Sequence, residues 1–183
     1  MRSFILACAF SAGLFVSANA EAVVAVAGNG PAYSCYRMAL AGRDHADALA
    51  PCNLALETQA LSRRTRAETL VNRGIIYLNR GAFSIALRDF DEAARLRPSL
   101  AEAYTHRGIA LSEMGDQRGA VEAITHGLSL NPMEPAKAYF SRAIAFEELG
   151  DVRAAYQDYR QAAQLAPDWE LARSELARFQ VRN

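Results

Sequence analysis

Cysteine and histidine offer this chain its widest chemistry, and both are scarce: 183 residues contain three of each. Cys35 and Cys52 admit three readings, a thiol nucleophile, a metal pair or a disulfide. There is no Cys-x-x-Cys and no cysteine–histidine spacing of the zinc type, and His45 is the one imidazole nearby in sequence. The pair therefore reads as a structural disulfide, which suits an exported chain. His106 and His126 stand apart from each other, with no carboxylate or nucleophile motif beside either. No G-x-S-x-G, P-loop or H-E-x-x-H occurs. These absences argue against an enzyme, a metal site or a bound cofactor. Arginine is the more telling residue. Arg73, Arg107 and Arg142 recur at a constant register, and sixteen residues after them lie Asp89, Ala123 and Asp158. The spacing predicts ion pairs in the first and third cases and leaves Arg107 to find another partner.

The elements that must hold these residues repeat with the same period. Leu70, Gly74, Tyr77, Ala86, Phe90, Ala93 and Pro98 reappear 34 residues later as Tyr104, Gly108, Leu111, Ala120, Ile124, Gly127 and Pro132. A third copy, Tyr139, Ala143, Phe146, Ala155, Tyr159, Ala162 and Pro167, follows at an offset of 35. Within each copy the first three positions fall at i, i+4 and i+7, and so do the next three, which places them on single faces of two successive helices. Small residues on those faces allow close approach. Gly81, Gly115 and Gly150 are placed to end the first helices, and Asp116 and Asp151 to cap the second ones. Thr65 with Glu68, and Ser99 with Glu102, have the spacing of capping boxes. The extra residue falls between Asn131 and Pro135, which predicts a longer connection there, with Pro135 opening the next helix.

Three registered copies of this pattern, over residues 67–167, resemble the tetratricopeptide repeat. The resemblance implies an all-α fold: a short right-handed α-solenoid of helical hairpins with a C-terminal capping helix. Trp169, Ala172, Leu176 and Phe179 supply that helix with one apolar face, and Asp168 is its expected N-cap. The expected organisation is a signal peptide at 1–20, a flexible segment at 21–32, and a degenerate leading hairpin at 33–66. Repeats follow at 67–100, 101–135 and 136–167, and the cap at 168–183. By the same resemblance the first helices line a concave face. Val71, Ile75 and Leu78, then Thr105, His106 and Ile109, then Lys137, Phe140 and Ile144 are the expected partner-binding residues, with Glu68, Glu102, Glu113 and Glu148 among an acidic rim. Relatives that grip the acidic C-terminus of heat-shock chaperones use lysines, asparagines and an arginine. This chain has Val71, Ile75, His106 and Ser141 at four of those positions and keeps Lys137. The implied partner is a protein or peptide segment, apolar or amphipathic with basic flanks. The competing reading is that the apolar residues pack neighbouring hairpins.

Composition agrees with an interaction module. Formal charge is zero, with 20 basic and 20 acidic residues, which argues against a nucleic-acid binder, since that would need a basic stripe. A 51% hydrophobic content suffices for a core. Arg2, the apolar run Phe4–Val16 and Ala18-Asn19-Ala20 read as a secretory signal with a small-x-small cleavage site, which implies a periplasmic or secreted protein without membrane insertion after cleavage. A retained anchor is the alternative. The use of arginine everywhere but Lys137, with abundant alanine, suggests a GC-rich bacterial genome. Two other functions fit the pattern: a self-associating scaffold, and an accessory subunit of an envelope-biogenesis enzyme.

Overall fold

The computed structural model describes residues 23–42 and 47–179. The expected signal peptide and His45 lie outside them. Among the described residues the chain forms nine helices and no strand: α1 (Pro31–Ala41), α2 (Ala50–Thr58), α3 (Arg63–Asn79), α4 (Phe83–Leu96), α5 (Ala101–Glu113), α6 (Gln117–Ser129), α7 (Pro135–Glu148), α8 (Val152–Leu165) and α9 (Glu170–Arg178). Successive helices pair as hairpins, α3 with α4, α5 with α6 and α7 with α8, and each hairpin stacks on the next. The fold is the all-α, tetratricopeptide-type solenoid, in which each hairpin's apolar face is covered by its neighbour.

The hairpins close because small residues sit where the helices cross. A Cβ added at Gly74 would lie 2.5 Å from Phe90 Cε1, and one at Gly108 would lie 2.4 Å from Ile124 Cγ1 and 2.9 Å from the Ala120 carbonyl oxygen. Phe90, Ile124 and Tyr159 are accordingly buried to 1% exposure or less, each one rung of the repeat. Between the paired helices, Gly81, Gly115 and Gly150 take φ of 75°, 85° and 78°, the left-handed region where a Cβ is strained. Asp116 and Asp151 cap α6 and α8 by accepting from the Gly119 and Ala154 amides at 2.9 and 3.0 Å.

Other capping expectations are corrected. α3 begins at Arg63, so the polar stretch before Ala67 is helix, and its N-cap is Ser62, whose hydroxyl accepts from the Thr65 amide at 3.0 Å. Glu68 is instead buried and held by Arg64 and Arg97 at 2.8 and 3.0 Å. α5 has no side-chain cap, because its N-cap is Leu100 rather than Ser99, and Glu102 accepts instead from the Met133 amide at 2.9 Å. α9 starts after Trp169 rather than Asp168, and no side chain caps it.

The leading hairpin, α1 with α2, carries the Cys35–Cys52 disulfide, Cα to Cα 4.6 Å. It meets α3 chiefly through α1, whereas later hairpins stack mainly through the second helix of the preceding pair. The stretch expected to be flexible departs from expectation: Val23, Val24 and Val26 are buried at 6%, 5% and 4% exposure.

Candidate binding face

The recurrent arginines fasten the framework of the first helices. Arg73 donates Nε and Nη2 to the two Asp89 oxygens, both at 2.8 Å, and Nη1 to Asn53 Oδ1 at 2.9 Å. Arg142 repeats this with Asp158 at 2.7 and 2.9 Å and with Thr125 Oγ1 at 2.9 Å. Each guanidinium thus ties three helices: its own, the second helix of its hairpin, and the second helix of the preceding hairpin. Hydrogen bonding to the Asp89 carboxylate raises the Arg73 pKa above its ordinary value, outweighing the opposing effect of burial. Arg142 also lies over the Tyr139 and Phe146 rings, 5.5 and 5.7 Å from their centroids. Arg107, which has Ala123 instead of an aspartate sixteen residues on, pairs backward with Asp91 of α4 at 2.8 Å on the exposed surface.

This framework separates the expected binding residues into two groups. Val71 and Ile75 have no exposed surface and Leu78 has 6%. They share a core cluster with Leu56 of α2, Phe90 of α4, Ala103 and Ala110 of α5, and Val24. An open apolar floor at the first repeat is therefore not what the structure has: α3 is enclosed by its neighbouring helices and the amino-terminal stretch. Phe140 is likewise interior, its ring 5.3 Å from Tyr159 and 4.7 Å from Trp169, where α9 closes the stack. Trp169 is a packing residue there.

Thr105, His106, Ile109 and Lys137 do come together, although Thr105 and His106 are themselves buried at 5% and 3% exposure. With Pro132, Glu134 and Ala138 they line a small hollow of about 40 Å³ between α5 and α7. Ile144, further along α7, is 39% exposed. His106 lies 2.9 Å by Nδ1 from the Glu102 carbonyl oxygen. A carbonyl only accepts, so Nδ1 carries the proton and Nε2 of the neutral ring is left as an acceptor. Burial lowers the His106 pKa, only partly offset by that hydrogen bond and by Glu102 and Glu134, so the ring is neutral at pH 7. Both Glu134 oxygens lie against Lys137 Nζ, at 3.0 and 2.9 Å. The acidic rim is thinner than the sequence suggests: Glu68 and Glu102 are buried and engaged, while Glu113 and Glu148 are exposed.

A larger hollow of about 290 Å³ lies on another side of the same connection, lined by Leu128, Asn131, Pro132, Pro135, Tyr139, Gln161 and Leu165. It was not foreseen, although its signal was present: the extra residue between Asn131 and Pro135. Asn131 takes φ of 56° there. Among the described residues no group of three or more His, Cys, Asp or Glu is placed to hold a metal ion, and no helix is long and apolar enough to cross a membrane.

The family model for the tetratricopeptide repeat matches residues 101–132 and 136–168. Among solved structures, the chain is similar to the first tetratricopeptide domain of Spaghetti (RPAP3) bound to an HSP90 peptide, at 23% identity and a TM-score of 0.59, over 63% of this chain and 90% of that one. It is similar to the second such domain of human RPAP3 in complex with an HSP70 peptide, at 21% identity and 0.60, over 66% of this chain and all of that one. MamA matches at 22% identity and 0.60, over 70% of this chain and 72% of that one. At these identities the likeness to the solved structures is one of fold. The family model thus places two tetratricopeptide repeats in this chain, and a third copy of the same pattern is written at the same register before them.

Proposed function

We propose that the array is a non-catalytic adaptor that holds a peptide or helix of a partner protein on the α5–α7 face. The observation that carries this is the convergence of Thr105, His106, Ile109 and Lys137 on one hollow, with Ile144 exposed further along the same helix as Lys137. The RPAP3 domains with the same fold are solved with chaperone peptides bound. Here the clamp those acidic tails would need is replaced: His106 and Ser141 stand at two of its positions, and Val71 and Ile75 at two more are buried. A segment with an apolar face suits Ile109 and Ile144 better. Basic flanks suit Glu113 and Glu148, which act mainly on encounter rate and orientation.

The compartment in this reading is the bacterial envelope. The Cys35–Cys52 bond supports it, since such bonds persist where thiols are not kept reduced. So does the signal-like sequence of residues 1–20. Titration with labelled amphipathic helices of one apolar face, flanked by lysines in one set and glutamates in the other, tests the specificity. The lysine-flanked set should bind more tightly, and the preference should shrink with added salt. Equal binding of both sets, or of neither, overturns the reading.

A further inference from the structure

The amino-terminal stretch 23–27 is held in a manner unlike the rest of the molecule. It is not helical, and from Val24 onward its residues alternate buried and exposed. Its valines enter three separate parts of the core: Val23 joins the cluster of Cys52 and Ile76, Val24 that of Leu56 and Ile75, and Val26 that of Ala55. The stretch therefore lies where α1, α2 and α3 meet. Two hydrogen bonds secure its backbone, and one side chain makes both. Asn72 Oδ1 accepts from the Val24 amide at 2.9 Å, and Asn72 Nδ2 donates to the Val24 carbonyl oxygen at 2.8 Å.

That pairing is what a neighbouring strand would offer. A carboxamide presents one acceptor and one donor side by side, which matches the N–H and C=O of a single extended residue and asks nothing of its side chain. Asn72 is itself fully buried. It stands at the register that His106 and Ser141 occupy in the later repeats. The stretch is joined to α1 by Gly28-Asn29-Gly30, with Gly28 at φ 119° and open space around the position of a Cβ. A short glycine hinge followed by a segment that depends on another element for its backbone bonds has the construction of a ligand tethered to its site.

We propose that the α1–α2–α3 junction is a strand-binding cleft for an extended, valine-rich segment, and that its occupant is this chain's own Val23–Ala27, which closes the cleft in cis. This goes beyond the adaptor reading and is independent of what the α5–α7 face holds. The cleft reads its ligand through Asn72 and through three apolar sockets. A segment supplied from outside must first displace the resident one.

The test uses the chain from Glu21 onward and a fluorescent peptide of residues 21–30, followed by anisotropy. A site mostly closed by its own segment weakens apparent binding by the fraction left open. The double variant Val24→Asp/Val26→Asp, which expels the resident segment, should bind the peptide roughly tenfold or more tightly than the unaltered chain. Adding Asn72→Ala should remove that gain. A folded double variant that fails to bind the peptide overturns the proposal, as does one whose whole array unfolds, because the stretch would then be inseparable core. Amide exchange supplies a second measurement in the otherwise unaltered chain. Asn72→Ala should speed exchange at Val24 while α5 to α8 keep their protection; equal loss of protection throughout also overturns it.

Discussion

Arg142 is more than a surface charge because its partner is enclosed: its side chain is 17% exposed and that of Asp158 only 7%. Removing either leaves the other desolvated, so Asp158→Ala should cost about 2 to 4 kcal/mol. A double-mutant cycle with Arg142→Met, followed by urea unfolding, should give a coupling energy above about 1 kcal/mol. Arg107 with Asp91, at 36% and 53% exposure, is the internal control, and its coupling should fall below about 1 kcal/mol. The first and third pairs were legible because each partner follows its arginine by a fixed sixteen residues within one hairpin. Asp91 was not, since it precedes Arg107 by the same interval and belongs to the hairpin before. His106 makes a second prediction at this scale. Its folded pKa is lowered, so between that value and the ordinary value near 6.5 the unfolded chain binds the proton first. The stabilisation is complete above about pH 6.5 and is lost as pH falls through that value toward the folded one. Glu102, Glu134 and Lys137 are the charged groups acting on it. Urea midpoints measured at about pH 7.5 and pH 5.5 should therefore differ less in His106→Gln than in the unaltered chain. An equal difference in both would place the acid sensitivity elsewhere, for instance in the carboxylates.

At the scale of the element, the hairpin contact is set by what cannot be added. Gly108→Ala improves intrinsic helix propensity by about 1 kcal/mol. The new methyl, however, meets not only the Ile124 side chain but also the Ala120 carbonyl oxygen at 2.9 Å, and backbone does not give way as a side chain does. Overpacking of this kind costs about 1 to 3 kcal/mol, so thermal unfolding should show a lower melting temperature despite the better helix former. Copy three shows the other solution: Ala143 stands at that register, fully buried, opposite Tyr159. The leading hairpin is short of such packing and relies on its covalent link. Cys35→Ser with Cys52→Ser should lower stability by about 3 kcal/mol in the chain-entropy account, with the loss concentrated in hydrogen exchange of α1 and α2. The helical hairpins and their glycine turns could be read from spacing alone. The capping of α3 and α5 could not: Thr65 and Ser99 had the right residue types, but Ser62 lay one turn earlier, and Glu102 found a backbone partner 31 residues away. Local pattern cannot anticipate a competitor brought in by the stack.

Across the whole molecule, the difficulty lies in telling a groove from a core. Both require apolar residues at helical spacing on the first helices, and sequence gives Val71, Ile75, Ile109, Phe140 and Ile144 the same appearance. What divides them is how much else packs nearby. The first repeat is covered by the leading hairpin and the Val23–Ala27 stretch, the third by Trp169 of the cap, and the α5–α7 face between them keeps Ile109 half-buried and Ile144 exposed. The adaptor reading therefore predicts opposite consequences for two changes on one helix. Ile144→Ser alters a side chain already partly in water, so it should cost about 1 kcal/mol of stability and weaken binding of the lysine-flanked peptide. Phe140→Ser empties a socket between Tyr159 and Trp169 and should cost about 3 to 5 kcal/mol, lowering the melting temperature before any peptide is added. Calorimetric melting beside peptide titration of the two variants separates these effects. Should Ile144→Ser leave peptide affinity unchanged while the chain stays folded, the partner does not lie across α7, and the larger hollow formed by Asn131, Pro135 and Tyr139 becomes the face to probe.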